Sequence, residues 1–180
     1  MRRRMGRPLR RMLAPAIPPL LRRSNELLSA GNPTEAARGL EQLARAAEAR
    51  GGRRAPTFYI HAGSALVLAG RPAEAVDLFE RGLGLLAARG RSHKVSVVAN
   101  RLLAELLDRG LTAESKHITD YLNNLAPGFG SDASDPLPQR KAPLPTHCPG
   151  CGAPVRPDEV EWLDDITAEC AFCGSPVRAE

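Results

Sequence analysis

Cys148, Cys151, Cys170 and Cys173 are the four cysteines of this 180-residue sequence, and they stand as C-x2-C-x18-C-x2-C. Thiolates are soft ligands. Two C-x-x-C turns separated by a strand pair's length bring four of them around one tetrahedral point, which suits Zn2+ at S–Zn distances of about 2.3 Å. The two halves repeat one another: Cys148-Pro-Gly-Cys151-Gly-Ala-Pro-Val-Arg156 against Cys170-Ala-Phe-Cys173-Gly-Ser-Pro-Val-Arg178. Gly152 and Gly174 follow the second thiolate of each half, where the chain turns sharply and a residue without Cβ adopts positive φ. A disulfide framework confined to one end would leave the rest of the chain unstapled. A redox C-x-x-C needs a helix and βαβ flank that neither half offers. A four-thiolate site leaves no coordination position for water or substrate, so the metal it implies is structural. With so short a segment around it, metal binding supplies most of the folding free energy, on the order of 10 kcal/mol. His147 adjoins Cys148, but the filled tetrahedron makes it a bystander.

On these two knuckles, residues 147–180 resemble the zinc-ribbon family, which implies a small β module built on one structural Zn2+. Glu159-Val160-Glu161-Trp162-Leu163 alternates as a strand does. Val160 and Trp162 then share a face, and the indole is expected to pack against the knuckles.

The elements that precede the cysteines come from a repeated phrase. Gly31-Asn-Pro33-Thr-Glu35-Ala36 becomes Gly70-Arg-Pro72-Ala-Glu74-Ala75 and then Gly110-Leu-Thr112-Ala-Glu114-Ser115. A period of this kind marks a helical array. Each glycine ends one helix, and Pro33 or Pro72 opens the next, where its missing N–H costs nothing. Glu35, Glu74 and Glu114 place negative charge at the positive end of the helix dipole. Ala36, Ala75 and Ser115 are small enough to let paired helices approach.

Tyr59, Gly63, Gly70, Ala75, Phe79 and Gly82 in the middle copy resemble the tetratricopeptide repeat. Leu27, Ala36, Leu40 and Leu43 stand in the corresponding places of the first copy, and Leu103, Leu106, Ser115, Thr119 and Leu122 in those of the third. The resemblance implies an α-solenoid of about three helical hairpins over 17–125, as a tetratricopeptide array or a looser solenoid. It also implies a concave groove, lined by the first helices, that holds a peptide or partner helix. Equivalent positions on that face are Arg22, His61 and Arg101, then Asn25 and Ser64, with Asn100 beside them. This polar, partly cationic stripe favours an acidic segment or a carboxylate. The lysines and asparagines of the family's carboxylate clamp are mostly absent.

Residues 126–146 hold five prolines and two glycines and read as an extended linker, so the sequence describes two modules on a tether. Residues 1–16 form a basic tail expected to be disordered. Its sequel, Leu13 to Leu21, is broken by Pro15, Pro18 and Pro19 and makes a poor signal-peptide core. No run approaches the ~20 apolar residues of a membrane helix. The formal charge is +5, yet residues 148–180 carry two arginines against seven acids. Lysine is scarce among the basic residues and alanine abundant, as in a GC-rich bacterial genome. No nucleophile–base pair, phosphate loop or paired carboxylates occur at a motif spacing, which argues against an enzyme. The sequence therefore points to a cytoplasmic, non-enzymatic adaptor for a protein or peptide partner, with the zinc ribbon as a second contact module. The alternative is a nucleic-acid-associated accessory factor of transcription or translation that uses the basic tail and the ribbon. The acidic ribbon and the paucity of aromatics weigh against it.

Overall fold

The computed structural model describes residues 17–125 and 142–179. The basic tail over 1–16 and most of the linker, 126–141, lie outside the described residues. Six helices come first: α1 Pro19–Ser29, α2 Pro33–Ala49, α3 Ala55–Leu68, α4 Pro72–Ala88, α5 Ser92–Asp108 and α6 Thr112–Leu125. Proline occupies the opening turn of α1 to α4, as the missing N–H allows. Gly31, Gly70 and Gly110 take φ of +76°, +73° and +73°. In each case the next residue's N–H reaches back into the helix, Asn32 to the Leu27 carbonyl, Arg71 to Leu66 and Leu111 to Leu106, at 2.8–2.9 Å. These are Schellman stops, and they turn the chain into the partner helix. Gly51 and Gly90 end α2 and α4 in the same way.

Each helix packs on its chain neighbours, and α4 also meets α6. The α3–α4 approach is set by glycine. A Cβ at Gly63 would stand 2.5 Å from the Phe79 ring, and one at Gly82 would stand 2.7 Å from Ile60 Cγ1. One buried cluster runs through this body, including Ile60, Phe79, Leu83, Leu102, Leu106, Ile118 and Leu122.

Toward the C-terminus, β1 Glu161–Trp162, β2 Thr167–Glu169 and β3 Pro176–Arg178 form an antiparallel sheet in the order β1-β2-β3. Trp162 faces Ala168 in the ladder, and Ala168 faces Val177. The strand expected over Glu159–Leu163 is shorter than its alternation suggests. The N–H groups of Glu159 and Val160 both donate to the Arg156 carbonyl, at 3.0 and 3.2 Å, closing a turn around Pro157. Glu159 and Val160 therefore belong to the turn that precedes β1 and not to the strand.

A second buried cluster contains Leu21, Leu40, Phe58, Tyr59 and Ala62 of the helices together with Cys148, Cys151, Phe172, Cys173 and Val177. The two cysteine turns and Val177 pack on α1 to α3 in this shared cluster. So few residues around four cysteines cannot bury enough apolar surface alone, and the helices supply the missing wall.

Candidate metal centre and docking groove

The two knuckles repeat in backbone geometry as they do in sequence. Cys148 N–H donates to the Ala153 carbonyl (2.8 Å) and Gly152 N–H to Cys148 (2.8 Å), while Cys170 N–H donates to Ser175 (3.0 Å) and Gly174 N–H to Cys170 (2.9 Å). Gly152 and Gly174 have φ of +72° and +76°. Each turn thus directs two sulfurs to the same side.

All four Sγ atoms are buried and lie within 4.8 Å of one another. Cys148 and Cys173 are separated by 3.7 Å, and Cys151 and Cys170 by 3.9 Å. A disulfide is about 2.05 Å long, so these are unbonded sulfurs. Four thiolates at about 2.3 Å from one centre would form a tetrahedron with edges of about 3.8 Å, which matches both separations. Hydrogen bonds among the crowded thiols push Cys173 below its ordinary range and Cys151 and Cys170 above theirs, as groups that share protons at close quarters do. The Ser175 N–H, 3.4 Å from Cys173 Sγ, also favours the thiolate. The donor set could therefore hold a soft metal ion. His147 stays outside it, bridged to Pro154 with its Nδ1 3.1 Å from Thr146 Oγ1.

The six groove positions named from the sequence divide into two groups. Asn25, His61 and Arg101 meet the ribbon. The Asn25 amide donates to the Cys151 carbonyl at 2.8 Å, buried between α1 and the first knuckle. His61 lies against Phe172, ring centroids 4.1 Å apart, and its Nε2 is 3.5 Å from Glu159 Oε2. Arg101 pairs with Glu159 and comes within 3.5 Å of Asp158. The other three do not join them. Ser64 donates to Glu105 at 3.4 Å, and Arg22 and Asn100 are exposed.

Several residues of this interface escape sequence reasoning. Glu159 is held at about pKa 2: burial pushes the carboxyl up, but its interactions with His61 and Arg101 outweigh it. Glu169 binds Arg54 at 2.9 Å and Arg53 at 3.3 Å. Arg54 also covers Gly174, where any Cβ would collide with its guanidinium. The signal available in the sequence was charge: an acidic ribbon and a partly cationic groove in one chain. Acids of the C-terminal segment, Glu159 and Glu169, meet His61, Arg101 and Arg54 of the helices.

Trp162 does not simply cap the knuckles. The half-buried indole lines a cleft of about 720 Å³ between the ribbon and the helices, beside Val97 and Val98 of α5 and Leu86 of α4. Comparison with family models, with curated proteins and with solved structures returns no match.

Proposed function

We propose that the chain is a non-enzymatic protein-interaction adaptor, a tetratricopeptide-like platform of three helical hairpins that carries one structural Zn2+ on Cys148, Cys151, Cys170 and Cys173. The observation that supports this most is the seating of the ribbon on Asn25, His61 and Arg101. These residues lie on the face that would bind a partner, and they hold a folded acidic segment through buried polar contacts, which is recognition chemistry carried out in cis. The metal centre is closed, and its task is to keep the two knuckles in the shape that fits the helices.

The test is affinity capture on the immobilised chain from a nuclease-treated lysate, followed by reconstitution with each purified candidate. A stoichiometric complex with one purified protein is expected. If everything retained depends on nucleic acid, or no purified candidate binds directly, the adaptor function is wrong.

A further inference from the structure

The cleft beside Trp162 has two unlike lips and an apolar wall. Ile60, Leu86, Val97, Val98 and Trp162 supply aliphatic and aromatic surface. One lip carries Arg89, Arg91 and Lys94. Among the described residues, none of these three makes an ion pair. The Arg89 guanidinium donates to the carbonyls of Arg53 and Gly52 at 2.9 and 3.0 Å, so its charge is oriented but not neutralised. Burial, reinforced by the Arg91 charge, holds Lys94 below the ordinary lysine range, and the charges of Glu161 and Glu169 offset this only in part. The opposite lip differs: there Glu159 and Asp158 are engaged by Arg101 and His61. Glu161 and Glu169 stand near Arg91 and Lys94, but Glu169 is engaged by Arg54 and Arg53, so cations outnumber free acids along this lip, next to apolar surface.

We infer that this composite cleft binds a short peptide segment of a separate protein, one that carries an aspartate or glutamate beside a large aliphatic or aromatic residue. The carboxylate would meet Arg91 and Lys94, and the apolar side chain would lie between Trp162 and the Val97–Val98 face. The cleft's volume falls in the range of about 300–1,000 Å³ usual for ligand sites. A continuous phosphate chain fits less well. It would gain nothing from the apolar wall, and Asp158 on the far lip, 44% exposed, would repel it. This inference rests on the adaptor function proposed above and specifies where and what that adaptor binds.

Selection from a random peptide library on the immobilised whole chain tests it. The enriched peptides should share an acid close to Leu, Ile, Phe or Trp. The best synthetic member should change the emission of Trp162, the only tryptophan in the sequence, saturably. Arg91→Glu with Lys94→Glu should weaken that peptide by at least about tenfold. Arg45→Glu, which alters a cation of α2 that is 73% exposed, should leave it unchanged. If the doubly substituted protein melts early, Arg91→Gln with Lys94→Gln is measured in its place. No consensus, a consensus without an acid, affinity that survives the lip substitutions, or displacement of the peptide by oligo(dT) would each overturn the inference. A captured protein retained equally by wild type and by the lip variant rejects this cleft but leaves the adaptor function standing. Retention by neither, with no consensus, rejects both.

Discussion

Glu159 shows how a single carboxylate joins the ribbon to the helices. Its side chain is 7% exposed, between His61 and Arg101. Its folded pKa of about 2 lies below the ordinary 4.5, so its contribution to stability is fully present above about pH 4.5 and is lost as pH falls toward 2. Glu159→Gln leaves the partly buried Arg101 with only the half-exposed Asp158 as its anion and should cost about 1–2 kcal/mol at pH 7. The gap to wild type should stay constant down to about pH 4.5 and narrow below it, read from thermal melts at each pH. In a double-mutant cycle with Arg101→Met, the coupling should be about 1–3 kcal/mol. Additive losses would show that the pair does not hold the ribbon. At the candidate metal centre, metal analysis of the unaltered chain should give one Zn2+ per chain, and Cys151→Ser should abolish that stoichiometry. Because Cys151 sits in the cluster shared with Leu21 and Phe58, the same change should also loosen α1 to α3, visible as faster amide exchange in those helices.

At the scale of elements, the glycines act in two different ways that substitution can separate. Gly70 has open space around its missing Cβ but a φ of +73°. Gly70→Val should cost about 1 kcal/mol or more through backbone strain alone. Gly63 has ordinary helical φ but the Phe79 ring against it. Gly63→Ala should cost about 1–3 kcal/mol by forcing α3 and α4 apart, and Phe79→Leu in the same chain should recover part of that loss, as denaturant midpoints would show. The helix junctions were legible in the sequence because their stops and starts are local: a glycine and then a glutamate, with a proline between them in the first two copies. The knuckles were legible for the same reason. The short turn at Pro157 was masked by an alternating pattern that continues into β1. The docking was not legible, since Asn25 and the Cys151 carbonyl it binds are 126 positions apart, and no local rule relates them. Only the opposite charges of the two regions hinted that Glu159 and Glu169 would find Arg101 and Arg54.

In the whole molecule, the shared cluster makes metal loss more than a local event. Chelation should uncover Leu21, Phe58 and Tyr59 as well as the knuckles. The helical melting temperature should fall by at least about 5 °C, with a rise in hydrophobic-dye fluorescence. A helical melt unaffected by chelation would mean that the ribbon contributes nothing to the helices that seat it. The seated ribbon also sets the terms for any rival ligand of Asn25, His61 and Arg101. A segment of the same chain competes at an effective concentration that dilution cannot lower. An acidic partner arriving at those three residues would therefore bind with an affinity reduced by the fraction of time the ribbon is away. Glu161 and Glu169 stand near the lip cations Arg91 and Lys94 but form no ion pair with them among the described residues, so in the proposed adaptor the first encounter would fall to these two.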